Sequence, residues 1–467
     1  MLNLDSTQKD AIGLNFVLKN LDCSSPYGME KLKELKPYKS EDFNSLEECF
    51  DNMKKIKSFY ESDKSTISKI CDVLAHFKNI RGIIRKLENT SLNQVELFEI
   101  KNFLLIFEEF LPLFEQFNDK DWLKNINFSS MTNALDILDP NKKRIAPFSI
   151  EDSFSEKLFK VRQEKYKIEL LLKKDQSLLL ERSKIVAEED TEETKIMAKL
   201  SQNLRNYIAD FYANINNLGK LDFTIAKVIL AAKYKATRPK ISNNKLVLKN
   251  MQNPMVAEIL KESGKKFTKT SLELNLGTTI ITGANMGGKS VSLKTTVLNI
   301  SLCLLGFFVF ADEAEIPMFS DVCLVFDDMQ DQKSGLSSFG AEITKLNDIV
   351  EKSKNEFLFI ALDELARATN PQEGTAIVRA VSAYFSSKNC ICLMSTHYDG
   401  VVQNGIKHYQ VAGLLNNVEN ANNISDYMDY SLIEVDTNTK PPRDALRICK
   451  LLNMDKDLLL LVEGGIE

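Results

Sequence analysis

Eight consecutive residues, Gly283, Ala284, Asn285, Met286, Gly287, Gly288, Lys289 and Ser290, fit the spacing G-x-x-x-x-G-K-[ST]. That spacing suits the binding of nucleotide phosphates. Glycines let backbone N–H groups curl round the phosphates, the lysine reaches the β and γ oxygens, and the serine hydroxyl ligates Mg²⁺. Further along, Asp363 and Glu364 follow the apolar run 357–362. At the end of a buried strand Asp363 would hold Mg²⁺ through water, and Glu364 would orient or deprotonate the attacking water. Two acids after an apolar run are common in loops, so their meaning comes from the glycine loop upstream. His397, after the apolar run 391–395 and Thr396, is placed to sense the γ-phosphate. The combined chemistry is Mg²⁺-dependent nucleotide binding and hydrolysis.

These groups must be carried by strands and helices in a particular order. Residues 274–282 end in an apolar, β-branched run that predicts a buried strand, and 292–305 have the length and apolar content of a buried helix. A strand, a glycine loop and a helix N-terminus together make an anion site. Downstream, strands and helices alternate as a doubly wound, mostly parallel sheet requires. Upstream, 241–247 and 272–274 predict strands, with Asn253-Pro254 as a turn between them.

Residues 1–237 carry a helical pattern almost throughout. Ile100, Phe103, Leu104, Phe107, Leu111 and Phe114 form one core stripe. Breaks are expected at 23–27, 139–150 and 214–219. Residues 151–204 form a charged arm with a thin apolar stripe that includes Leu158, Val161, Tyr166, Leu170 and Leu171. An antiparallel helical hairpin with the acidic run 188–193 near its tip fits this pattern, either holding a partner or simply solvated. Arg238-Pro239 ends the helical part. The expected organisation is an all-α domain over 1–237, an α/β domain over 238–440 and a C-terminal helical segment over 441–467.

The 467 residues, 44% of them hydrophobic, suffice for two or three full cores. Lys+Arg 60 against Asp+Glu 65 leaves a net charge of −5, so any nucleic-acid contact must come from a local patch or a partner. No basic, then apolar, leader is visible at the N-terminus, and the longest apolar stretch, 297–310, is too short to span a bilayer. A soluble, cytoplasmic protein with no membrane partner is expected. The eight cysteines are scattered except for Cys390 and Cys392, which read as small buried hydrophobes in a reducing compartment.

T-G-A-N-M-G-G-K-S at 282–290, the run ending in Asp363-Glu364, and S-T-H-Y at 395–398 resemble the ATPase domain of the MutS family. These are dimeric relatives of the ABC ATPases that include the DNA mismatch-repair proteins. The resemblance implies an α/β P-loop NTPase of the ABC-like MutS type, preceded by an all-α core and lever domain with a helical arm. Gln252-Asn253-Pro254 is similar to the family's R-H-P turn, 334–339 to its S-x-x-S-T-F segment, and 365–370 to the loop after the catalytic acid. Residues 23–35 and 221–232 resemble the start and end of the helical core and lever, and 444–452 the C-terminal dimerisation helix.

By that resemblance residues 283–290 with Val291 would bind ATP, Ser290 and Asp363 the Mg²⁺, Glu364 the water, and His397 the γ-phosphate side. Ser337 would reach the partner subunit's nucleotide, and Phe267 would stack on adenine. The chain departs from the family pattern at Ala284, where a proline is usual, and at Ala366 and Ala368, where glycines are usual. An alanine needing φ > 0 would be strained. The chain is expected to start at the core, without a mismatch-reading domain, and to end without a nuclease domain. A homodimer, or a heterodimer with a paralogous subunit, acting on DNA in mismatch repair or on DNA structures is the expected assembly. The alternative is an ATP-dependent reactivating chaperone for an adenosylcobalamin-dependent aminomutase or another protein client.

Overall fold

The computed structural model describes residues 4–118, 122–172, 176–283, 288–326, 338–415, 428–436, 444–451 and 454–464. Local capping signals explain where many helices begin. Asp5 and Gln8 form a reciprocal capping box ahead of α1 (Ser6–Ile12), and left-handed Gly13 closes it and opens α2 (Leu14–Lys19). Ser25 caps α3 (Pro26–Lys33), whose first residue is proline. There follow α4 (Phe43–Ser62), α5 (Lys64–His76), α6 (Arg81–Asn89), α7 (Gln94–Phe117) and α8 (Thr132–Leu138). The long helices α9 (Glu156–Leu172), α10 (Leu179–Leu204) and α11 (Ile208–Lys233) complete the helical part.

Strands then enter: β1 (Lys240–Ser242) and β2 (Leu246–Met251), α12 (Pro254–Glu262), β3 (Thr270–Leu274), β4 (Gly277–Thr282) and α13 (Lys289–Leu304). After β5 (Glu313–Pro317) and β6 (Asp321–Val325) come α14 (Ser338–Lys352), β7 (Leu358–Asp363), α15 (Pro371–Ser386) and β8 (Cys390–Ser395). The chain closes with β9 (Lys407–Leu414), β10 (Met428–Glu434), α16 (Asp444–Leu451) and α17 (Lys456–Gly464). Among the described residues no helix is long and apolar enough to cross a membrane.

The chain forms two compact units. One comprises Asp22–Glu34 with Asp51–Val228, the other Met1–Leu21, Leu35–Phe50 and Ile229–Glu467. This differs from a single boundary near Thr237. Gln8 Nε2 donates to Leu324 O at 2.6 Å, Asn253 Nδ2 to Ile12 O at 3.0 Å and Tyr38 N to Leu304 O at 2.7 Å, so these N-terminal residues bond to the α/β unit, at β6, at the start of α12 and at the end of α13. Helical periodicity reveals a helix but not the core it joins.

In the first unit the expected stripe of α7 is buried, except that Leu111 is half-buried. Phe103, Phe107, Phe110 and Phe114 stack on one another and meet Phe77 and Phe128, in edge or tilted geometries. Helices α9 and α10 pair antiparallel as a hairpin. The acidic run does not lie at its tip: Arg162 binds Glu189 at 2.9 Å and Glu193 at 2.6 Å, and Lys157 binds Glu188 at 3.1 Å. Its charges match the basic face of α9, well back along the hairpin. The break expected at 214–219 is also absent, because α11 runs straight through. A Cβ on Gly219 would stand 2.7 Å from Tyr27 O, so this glycine serves close packing against α3.

The second unit holds two sheets. The six-stranded sheet has the order β10-β9-β4-β8-β7-β6, parallel from β9 to β6 and antiparallel at β10. Strands β4, β7 and β8 are buried along their whole length, which is why each reads as an unbroken apolar or β-branched run. A second sheet, β1-β5-β2-β3, was not anticipated. The run read as one strand over 241–247 is split between β1 and β2. Asn253-Pro254 is not a turn but a helix start, with Asn253 accepting from Met255 N at 3.1 Å and Pro254 opening α12.

Candidate functional site

Parallel pairing fixes where the candidate residues meet. Ile281 is level with Ser395, and Asp363 with Ser395, so β4, β7 and β8 end together. Gly283, the Asp363-Glu364 pair and the Thr396-His397 pair therefore emerge at one edge of the sheet, where open α/β sheets form their ligand crevice. Thr396 N donates to Ile281 O at 3.0 Å and ties the third of these ends to the first.

Gly283 and Gly288 hold φ of 138° and 88°, values that side chains rarely adopt. Gly288 stands at the N-cap of α13, a sixteen-residue helix, and as a glycine it supplies no capping side chain of its own at the positive end of the helix dipole. Ala284, Asn285, Met286 and Gly287, between the two glycines, lie outside the described residues, as does Ser337.

Lys289 is 3% exposed; its Nζ donates to Gly283 O at 2.8 Å and lies 3.7 Å from Glu364 Oε1. Burial pulls its pKa down, and the Glu364 and Asp363 carboxylates oppose that shift. Ser290 Oγ donates to Asp363 Oδ1 at 2.8 Å, and Ser395 Oγ donates to the same oxygen at 2.5 Å. Glu364 N donates to Ser395 O at 3.0 Å, while its second carboxylate oxygen meets Arg367 Nη1 at 3.1 Å. His397 is half-buried, with a buried Nδ1 that has no hydrogen-bond partner among the described residues. Burial lowers its pKa, more than offsetting the pull of Glu364, so the ring is neutral at pH 7.

Beside this cluster lies a cleft of about 710 Å³. Lys289, Ser290, Val291 and Glu364 line one part of it, and Phe267 another. The structure thus brings Gly288, Lys289, Ser290, Val291, Asp363, Glu364, His397 and Phe267 into one neighbourhood. Sequence reasoning missed Met428 and Tyr430 of β10, which close the cleft. A Cβ on Gly288 would stand 3.1 Å from Tyr430 Cδ1, so that ring sits directly against the helix start. The signal was weak, because β10 is brought to the site by pairing at the sheet edge with β9.

A mostly parallel α/β sheet with its polar cluster and cleft at the carboxyl edge defines the class. Residues 279–440 match the family model described as MutS domain V, the family's ATPase domain. The chain is 32% identical over 227 residues to an Endonuclease MutS2 of Lactococcus lactis subsp. cremoris (strain SK11), covering 48% of this chain and 28% of that protein. To the Endonuclease MutS2 of Streptococcus uberis it is 30% identical over 266 residues, covering 56% of this chain and 31% of the relative. A third, from Caldanaerobacter subterraneus subsp. tengcongensis, is 30% identical over 226 residues, 47% of this chain and 27% of the relative. Over residues 279–440 the chain is similar to the MutS family's ATPase domain. It matches less than a third of the length of these relatives, and the nuclease activity in their name is theirs.

Proposed function

We propose that the chain binds Mg-ATP in this cleft and hydrolyses it. Residues 283–290 cradle the phosphates, with the α13 amides and the Lys289 ammonium supplying positive charge. Lys289 exchanges its contacts with Gly283 O and Glu364 for phosphate oxygens. Phe267 and Tyr430 offer aromatic faces for the base, and Val291 completes the near wall.

Ser290 and Asp363 fit Mg²⁺ as a hydroxyl and a carboxylate oxygen in mutual contact. No cluster of three or more His, Cys, Asp or Glu side chains able to hold a metal occurs among the described residues. A magnesium site completed by substrate phosphates and water does not require one. The ion, when bound, neutralises charge developing on the transferred phosphoryl group.

Glu364 orients a water and takes its proton as the water oxygen bonds to the γ-phosphorus. The bond to the β–γ bridging oxygen breaks, and ADP and phosphate leave. Neutral His397 faces the γ-phosphate and holds it by hydrogen bonding. Ser337 contacts the nucleotide of a partner subunit, so turnover is coupled to the opening and closing of a dimer. MutS-family proteins are typically dimers that bind DNA, and DNA is the proposed target here. A cytoplasmic location fits that target.

The carrying observation is the convergence of Lys289, Ser290, Asp363 and Glu364 in one bonded cluster at the cleft. The test is steady-state ATPase activity with and without Mg²⁺, and with plain, mismatched or branched DNA at two salt concentrations. Parent turnover should require Mg²⁺; Lys289→Ala should lose nucleotide binding; Glu364→Gln should bind ATP but fall at least about a hundredfold in kcat. Stimulation by a DNA form that weakens with salt supports the DNA target. Turnover indifferent to every DNA form would transfer the proposal to a protein client, and unchanged turnover by Glu364→Gln would end the assignment of the acid.

A further inference from the structure

Beyond Asp363 the backbone passes through two left-handed residues that are not glycine, Glu364 at φ 52° and Ala366 at φ 61°. Alanine disfavours that region, so something must hold it there. Two side chains from separate elements do. Ala366 N donates to Glu342 Oε2 of α14 at 3.1 Å, and Tyr398 OH, just beyond β8, donates to Ala366 O at 2.7 Å. All three residues are buried.

The surroundings are shaped for this grip. A Cβ on Gly374 of α15 would stand 2.2 Å from Tyr398 OH, so only a glycine lets the phenol pass. Tyr398 N in turn donates to Thr396 Oγ1 at 3.1 Å, and Thr396 N to Ile281 O at 3.0 Å. The hold on Ala366 thereby runs back to β4, the strand that leads into the phosphate-binding residues.

We propose that Glu342 and Tyr398 are positioning residues for Glu364: by gripping the peptide groups on both sides of Ala366 they fix the left-handed turn that aims the Glu364 carboxylate at the water. The inference rests on the reading of Glu364 as the acid that orients the water. Released from the grip, Ala366 relaxes toward negative φ, and the carboxylate two residues upstream loses its aim. Nucleotide binding, carried by α13 and the cleft walls, does not depend on the grip.

The experiment measures kcat, KM for ATP and binding of a fluorescent ATP analogue for the full chain and four variants, with the unfolding temperature of each. Tyr398→Phe and Glu342→Ala should lower kcat about tenfold, with KM and analogue affinity unchanged. Glu342→Gln, which keeps a carbonyl acceptor, should recover most of what Glu342→Ala loses. Adding Ala366→Gly to Tyr398→Phe should restore much of kcat, because glycine adopts φ 61° without help. A purely structural role predicts losses that follow the unfolding temperature and no rescue by glycine, and that result overturns the proposal. Parent-like kcat in Tyr398→Phe and Glu342→Ala overturns it too, while leaving the ATPase reading intact. A parent that hydrolyses no ATP overturns both at once.

Discussion

At the scale of single residues Ala366 and Ala368 behave differently. Ala366 adopts φ 61°, whereas Ala368 is not among the left-handed residues. Relief of a left-handed alanine gives back about 1–2 kcal/mol, against roughly 0.5–1 for the extra freedom of glycine when unfolded and about 0.8 for the lost buried methyl. The terms nearly cancel, so Ala366→Gly should shift stability by less than about 1 kcal/mol. Ala361, equally buried in β7 and not left-handed, has no strain to recover, and Ala361→Gly should cost about 1.5 kcal/mol. Urea midpoints of the two variants check the contrast. Equal losses would mean that Ala366 carries no strain.

At the scale of elements, α1 reaches the edge strand of the main sheet through one buried side chain. Strand β6 ends the order, and its Leu324 carbonyl is satisfied by the buried Gln8 side chain. Gln8→Leu removes both that donor and the acceptor of the capping box, leaving a buried carbonyl unpaired. A loss of about 1–3 kcal/mol follows, with KM for ATP unchanged because the change lies away from the cleft. Chemical denaturation beside steady-state kinetics measures both; a stability equal to the parent's would show that the Gln8 contact does not hold this edge. In the arm, by contrast, ion pairs between α9 and α10 are partly exposed, and each adds little by itself.

For the whole molecule, pH is the informative variable. His408 in β9 is buried; its Nε2 pairs with Thr282 Oγ1 at 2.7 Å, one residue before Gly283. Burial holds its pKa below the ordinary 6.5, only partly offset by the Asp436 carbonyl. In the unfolded chain the ring takes up a proton below 6.5 that the folded ring refuses, so its contribution to stability is present above that pH and lost as pH falls. His408→Gln should therefore cost more stability at pH 7.5 than at pH 5.5. A cost that does not change with pH would mean that His408 is not held neutral. For assembly, Glu364→Gln with Mg-ATP should shift the chain toward a dimer in light scattering, and Lys289→Ala should not; a monomer under both conditions would remove the proposed dimer.

Much of the candidate site's layout was legible from residue order. Glycine spacing, an apolar run ending in two acids and another ending in Thr396-His397 are local patterns, and a parallel sheet buried on both faces writes its strands as unbroken apolar runs. That is why β4, β7, β8 and α13 fell close to their expected places. Tertiary structure decided what depends on residues far apart in the chain. It assigned 4–21 and 35–50 to the α/β unit, turned Gly219 from a break into a packing contact and paired the acidic run with α9. It also carried Met428 and Tyr430 to the cleft, and gripped Ala366 between Glu342 and Tyr398. A sequence states which conformations each residue tolerates; which tolerated conformation is realised depends on distant partners that only the folded chain brings within hydrogen-bonding and packing distance.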